Sequence, residues 1–239
     1  AAGCDVSVVY SLMDALKIAR ENTNYKVVFL AIGFETTAPG SAVGLIQAQK
    51  ESLVNFYLFS AHKLMPPAMD AIVEEGVKIN GYICPGHVST ITGKKIYEHI
   101  PEQYGLACVI AGFEPLDILQ SIWMLLEQLE NHDPKVEIQY KRAVRKEGNM
   151  KAKEYMHQVF EPRDDWWRGL GILQKSGLGI REAYKDFDAE YMIPVEVETE
   201  ETDRGCICGD ILKGLKEPVD CKLFGTSCKH LNPVGACMV

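Results

Sequence analysis

The run VVFLAIGF, residues 27–34, has the marks of a fully buried β-strand. It is short, rich in Val, Ile and Phe, free of charge, and closes on Gly33-Phe34 ahead of the turn-forming ETTAPG at residues 35–40. Beyond that turn, residues 42–51 carry apolar side chains at three- and four-residue spacing, the period of an amphipathic helix. The same alternation continues on both sides. Residues 6–10, 56–60, 82–84 and 107–113 read as further buried strands, and residues 12–21, 67–75 and 116–130 as helices. This order predicts an α/β fold with a mostly parallel sheet, helices on both faces and right-handed crossovers.

The regular rhythm holds to about residue 132. After it, residues 136–144 read as another strand, 150–160 as a helix, and Trp166 to Gly171 as a turn whose tryptophans cap a core. Residues 194–201 are acidic and poor in apolar side chains, as a connector is. The expected organisation is an α/β domain over residues 1–203 followed by a small irregular cysteine-rich metal or cluster segment over 204–239.

With 239 residues, 47% hydrophobic and 24% charged, the chain can bury a core without staples, and its composition excludes a disordered or collagen-like polymer. The formal net charge is −8 and no stripe of Lys and Arg offsets it, which argues against nucleic acid and acidic membrane surfaces as partners. No apolar run reaches the length of a membrane helix, and the first residues lack the basic start and apolar core of a signal peptide. The chain starts on Ala1 almost directly before a strand pattern and stops at Cys237-Met238-Val239 without a terminating feature, so it reads as a piece of a longer polypeptide.

Ligands of parallel α/β sheets bind outside the carboxyl ends of the strands. Followed to their ends, the strands deliver Glu35, His62, His87 and Glu114, which are expected to converge on one cleft at one sheet edge. Three of these residues sit in glycine-bearing turns, GFETTAPG, CPGHVS and AGFEP, where backbone can approach a ligand closely. Thr36 and Thr37 add hydroxyls to the same site, although helix capping is the simpler role for them, as for Ser89 and Thr90. No phosphate-cradling GxGxxG or GxxxxGK[ST] loop follows any strand. Cys84 lies three residues before His87, so a thiol nucleophile with an imidazole base is one reading and an inert core thiol the other. Cys4 and Cys108 read as core residues.

The remaining five cysteines, Cys206, Cys208, Cys221, Cys228 and Cys237, follow the spacing C-x-C-x12-C-x6-C-x8-C. On a chain large enough to fold without disulfides, this cluster points to bound metal. Zinc knuckles favour C-x2–4-C pairs, which are absent; wide irregular gaps suit an iron–sulfur cluster wrapped by a loop, and zinc and disulfides remain alternatives. His230 is either an additional ligand or a surface residue. The segment is rich in glycine and poor in helix or strand pattern, so it is expected to draw its shape from the metal.

GFETTAP at 33–39, CPGHVS at 84–89, AGFEP at 111–115 and the tail CICGDIL…P-x-D-C-x-LFG…C…PVGACMV from 206 to 239 together resemble the HypD family of nickel–iron hydrogenase maturation proteins. The family's CGGHT and CPVC motifs, associated with iron, are not in this sequence. The resemblance implies a cytoplasmic scaffold on which, with the small chaperone HypC, an iron carrying cyanide and carbon monoxide is assembled, HypE and HypF delivering the cyanide. It also implies a 4Fe–4S cluster mapped onto Cys208, Cys221 and Cys228, with the fourth ligand falling just past Val239. Lys229 and His230 stand where the family often has Thr-Pro. The alternative is an iron–sulfur or thiol-dependent oxidoreductase or transferase using the Cys84/His87 region, and a third reading is a zinc-stabilised binding module.

Overall fold

The structure is a computed structural model and describes residues 5–74, 76–195 and 205–238. In chain order the elements are α1 (Leu12–Glu21), β1 (Val27–Gly33), α2 (Ala38–Lys50), β2 (Phe56–His62), α3 (Met65–Glu74), β3 (Gly81–Pro85), α4 (Gly86–Thr92), α5 (His99–Tyr104), β4 (Ala107–Ala111) and α6 (Pro115–Glu130). There follow β5 (Val136–Ile138), α7 (Met150–Val159), β6 (Phe160–Trp167), β7 (Gly171–Ile180), α8 (Ala189–Met192) and α9 (Cys208–Leu212). The α/β class with parallel sheets flanked by helices is as expected. The single sheet is not: β1 and β2 form one parallel pair, β3, β4 and β5 a second parallel sheet, and β6 and β7 a two-stranded ribbon.

The chain divides into two compact units, each assembled from separate stretches. Within the described residues the first contains 5–63, 151–162 and 178–195, and the second 64–150, 163–177 and 205–238. The cysteine segment groups with the second unit. The expected boundary at 203/204 and Cys4 lie outside the described residues, as does the connector at 194–201 beyond residue 195.

In the first unit, α1 begins at Ser11, whose hydroxyl accepts from the Asp14 N–H while Asp14 accepts from the Ser11 N–H at 3.0 Å, a reciprocal cap. Leu12, Ala15, Leu16 and Ala19 form its buried face. A Cβ on Gly44 of α2 would overlap the Leu12 side chain, so this glycine sets how closely α1 and α2 approach. The β1–β2 register pairs Val27 with Phe56 and Gly33 with His62, and the Lys63 N–H donates to the Gly33 carbonyl at 2.8 Å. The strand expected at 27–34 forms but is not fully buried: Val28, Leu30 and Ile32 are exposed and only Ala31 is buried, because among the described residues β1 pairs with β2 alone. Buried Asn55, just before β2, has its Nδ2 at 3.0, 3.1 and 3.0 Å from the carbonyls of Ala19, Asn22 and Tyr25, which share its two N–H bonds, closing the turn between α1 and β1. Residues 6–10, expected as a strand, are irregular, with Val6, Val8 and Tyr10 exposed. Their alternation suits a ladder, but no described strand pairs with them.

In the second unit, β4 is buried along its length between β3 and β5. The core beneath joins Met69, Cys84, Tyr97, Ile100, Cys108, Ile110, Val136 and Val144. The strand expected over 136–144 stops at Ile138, because the Gln139 and Tyr140 N–H groups both turn to the Ile110 carbonyl and residues 140–144 close a turn. The strand expected over 107–113 stops at Ala111, where the Gly112 N–H leaves the ladder for the Gln139 side chain at 3.1 Å. Trp166 does not cap a core but is half exposed, whereas Trp167 donates through its indole N–H to buried Ser176 at 2.8 Å. No helix among the described residues is long and apolar enough to cross a membrane.

Replacing Asn55 by Ala would leave buried carbonyls without their donor, a loss of about 1–3 kcal/mol. Urea unfolding of Asn55→Ala is expected to show a lower midpoint at unchanged slope, with faster hydrogen exchange around residues 19–25.

Candidate functional site

The first unit presents a buried polar knot at the carboxyl end of β1 and β2. His62 is fully buried; its Nε2 lies 3.0 Å from Ser41 Oγ and its Nδ1 3.4 Å from Thr37 Oγ1. The edge of the Phe160 ring system closes on the imidazole at 5.7 Å between centroids. Burial pushes the His62 pKa down to about 4, against a hydrogen bond to the Gly33 backbone, so the ring is neutral at neutral pH. Thr37 occupies the N-cap position of α2, yet its hydroxyl donates back to the Phe34 carbonyl at 3.1 Å rather than capping the helix. Gly33 has φ 139°, and a Cβ there would overlap Thr37 Oγ1, so only glycine lets the turn pass. Glu35 is buried in this turn and Thr36 is half-buried beside it.

The second unit places its own strand-end residues at the carboxyl end of β3 and β4. His87 is exposed in the first turn of α4, its ring 5.1 Å from that of Phe113 and tilted by 50°. Glu114, exposed at the start of α6, lies 3.4 Å from Arg142. Arg142 grips the buried Asp117 carboxylate with two bonds, of 2.8 and 2.5 Å, and lies over the Tyr140 ring at 4.5 Å. The Arg142 guanidinium, helped by Gln139 and the Glu114 N–H, holds the Asp117 carboxyl well below the usual carboxylate range, outweighing its desolvation. A Cβ on Gly112 would overlap Asp117 Oδ2, and one on Gly86 the Ala111 carbonyl.

The four strand-end residues therefore leave two sheets, Glu35 and His62 one and His87 and Glu114 the other, which corrects the single edge expected from the sequence. Ser89 and Thr90 donate to the carbonyls of Pro85 and His87 and do not cap α4. Cys84 is 1% exposed, and its thiol is pushed well above the usual range by its hydrogen bond with Cys108 and by burial. A neutral buried thiol is a poor nucleophile, which weighs against the Cys84/His87 pair.

The cysteine segment folds around α9 and short turns into a small, partly open pocket lined by Cys206, Cys221, Cys228 and Cys237 with Leu223 and Phe224. Cys208 is buried beside it, its sulfur accepting the Cys237 N–H at 3.1 Å, and the Cys228 sulfur accepts the Val234 N–H at 3.3 Å. The Cys221 thiol is held below its usual range by the N–H groups of Leu223, Ile207 and Phe224, against desolvation. Burial pushes Cys237 up to about 11, reinforced by Cys208, and raises Cys206, reinforced by Cys208, Cys221 and Cys228 against the Cys208 N–H. A Cβ on Gly235 would come within 2.8 Å of both Cys206 Sγ and Cys208 Cβ, so glycine here lets the tail pass close to these two cysteines. The turn between β6 and β7 backs this arrangement, with Arg168 donating to the Pro233 carbonyl at 3.2 Å. Among the described residues, no three His, Cys, Asp or Glu side chains form a ligand set for a metal ion.

A family model described as "HypD: Hydrogenase formation hypA family" matches residues 1–239. The chain belongs to the HypD family. It is 47% identical over 237 residues to a putative hydrogenase expression/formation protein of Methanocaldococcus jannaschii, covering 99% of this chain and 66% of that protein. It is 48% identical over 247 residues to hydrogenase maturation factor HypD2 of Bradyrhizobium diazoefficiens, and 47% over 246 residues to hydrogenase maturation factor HypD of Azotobacter vinelandii. Each of these matches covers all of this chain and 65% of the relative, so the chain spans just under two thirds of the relatives' length.

Within this HypD-family chain, reading the sequence alone missed Ser41, Asp117, Gln139, Tyr140 and Arg142. Asp117 carried a signal, three residues after Glu114 at a helix start, where an acidic side chain complements the exposed N–H groups. Ser41 and Arg142 carried none, because their partners are 21 and 25 residues distant.

His62 titrates near 6.5 when unfolded and near 4 in the fold. Between those values the unfolded chain takes up a proton that the fold refuses, so stability falls as the pH drops through this window, by at most about 1.4 kcal/mol per pH unit, and no further below it. Denaturation midpoints from pH 7.5 to 3.5 are expected to show this slope, and His62→Gln is expected to remove this component.

Proposed function

We propose that the chain serves hydrogenase maturation as part of a cytoplasmic assembly scaffold with redox capacity, handling an iron that receives cyanide and carbon monoxide ligands as its cargo. The observation that carries this reading is the gathering of Cys206, Cys208, Cys221, Cys228 and Cys237 around one pocket, with backbone N–H groups directed at the sulfurs of Cys208, Cys221 and Cys228. Such N–H groups favour thiolate and tune iron–sulfur clusters. The chemistry of the donor set, thiols rather than imidazole or carboxylate, suits a 4Fe–4S cluster, in which each thiolate binds a different iron so that no three need meet at one ion; thiolates of this set would be the ligands. Cys221 and Cys228 line the pocket together with Cys206 and Cys237, while Cys208 lies behind them.

A bound cluster supplies one-electron redox capacity. The protein's own contribution is to hold thiols in place and shield them with Ile211, Leu223, Phe224 and Met238. At the strand ends, neutral His62 spends both ring nitrogens on Ser41 and Thr37 and so holds the turn after β1 rather than reaching a ligand itself. His87, exposed on Phe113, is free to hydrogen-bond a ligand on the cargo. A HypC-like chaperone and cyanide delivery by HypE and HypF complete the proposal, on the strength of the family relationship.

The protein expressed anaerobically from its complete gene is expected to carry about four iron and four sulfide per chain, the content of a 4Fe–4S cluster. Cys221→Ala and Cys228→Ala are each expected to lose both, and to fail to restore hydrogenase activity in a host lacking its own HypD-family gene. Zinc in place of iron and sulfide, or full iron in the Cys221→Ala/Cys228→Ala double variant, would overturn the cluster assignment.

A further inference from the structure

In the second unit, α6 is polar where it is buried and apolar where it is exposed. Asp117, Ser121 and Gln128 form its buried positions, and each is satisfied: Asp117 by Arg142, Ser121 through the Asp117 carbonyl at 2.7 Å, and Gln128 by donating to Glu137 and accepting from the Lys135 N–H. Leu116, Leu119, Ile122, Trp123 and Leu126 face outward and are between 42 and 78% exposed. Single exposed leucines are ordinary, but a contiguous stripe is not. Four of the five, at 116, 119, 123 and 126, repeat with the alternating three- and four-residue step by which one helix packs along another.

The charge that α6 itself sets around the stripe is of one sign; Arg142, 3.4 Å from Glu114, and Lys135, near Glu127, come from outside the helix. Helix α6 contains no Lys or Arg; Glu127 and Glu130 flank the stripe at its far end and Glu114 at its start. A second copy laid antiparallel on this face would bring Glu114 of each against Glu127 and Glu130 of the other, which like-charge repulsion disfavours. An acidic lipid surface meets the same objection. We propose that the outward face of α6 is a docking seam for a protein partner that presents an amphipathic helix whose apolar stripe is bordered by Lys or Arg. The seam starts beside Phe113, the ring against which His87 rests, so a docked helix would lie at the rim of the His87 site.

The test uses two synthetic three-heptad peptides with Leu at both core positions, one flanked by Lys and the other by Glu, added to the full protein. Trp123 reports docking by a shift of its emission to shorter wavelength, and Trp123→Phe assigns that signal against Trp166 and Trp167. The expected result is saturable binding of the Lys peptide, at least about tenfold tighter than the Glu peptide, weakened by salt and abolished in Leu119→Glu and Leu126→Glu. Both substitutions add negative charge, so attraction by charge alone would strengthen binding where docking on the seam loses it. Undiminished binding to these variants, equal binding of the two peptides, or no binding of either would overturn the proposal. So would a dimer that Leu119→Glu dissociates, which would make a second copy the occupant. Protection of Trp123 from acrylamide before any peptide is added would likewise overturn it, showing the face covered by the protein's own chain.

Discussion

The sites of this molecule depend on backbone passing closer to a reactive side chain than any Cβ permits. Gly33 runs against Thr37, Gly112 against Asp117, Gly86 against the Ala111 carbonyl and Gly235 against Cys206 and Cys208. In the first three the strand has just ended, and the close turn brings the following helix back over the sheet edge. In the fourth there is no sheet, and the same device lets the tail pass close to two cysteines instead. Alanine at these positions would push apart the groups whose proximity gives each site its chemistry.

How the two strand-end sites differ follows from burial. Gly33-Phe34-Glu35 and Gly112-Phe113-Glu114 are identical in sequence, yet Glu35 is 2% exposed while the Glu114 side chain is 76% exposed. The first motif turns inward to a neutral, desolvated imidazole. The second turns outward, and its charge is organised around Asp117 and Arg142, one buried and one half exposed. One unit therefore offers hydrogen bonding without charge, and the other an ion pair and an accessible imidazole.

The apolar run at 27–34 revealed its strand through its composition but not its burial, since Val28, Leu30 and Ile32 are exposed, and the helix at 12–21 was legible because its cap and its 3.6-residue period agree. Residues 6–10 have an equally good strand pattern and form none, since a strand is defined by its partner and not by its own residues. Division into two sheets was hidden for the same reason: the order of strands and helices is identical for one sheet or two. At the candidate sites, the strand-end rule found His62 and His87, and cysteine spacing found the pocket. The partners that set their properties, Ser41 and Arg142, come from register and from a turn that no local pattern encodes. Nor does spacing distinguish Cys206, which lines the pocket, from Cys208, which is buried at the start of α9.

The account's central claim, that close approach at one glycine assembles the cysteine pocket, is tested most directly by comparing Gly235→Ala with Gly40→Ala, where a Cβ would meet nothing within 4 Å. The measurement is iron and acid-labile sulfide retained by each protein after anaerobic purification. The account predicts that Gly40→Ala keeps the full complement and Gly235→Ala loses most of it while the rest of the fold, followed by circular dichroism, persists. Equal iron and sulfide in the two variants would contradict it.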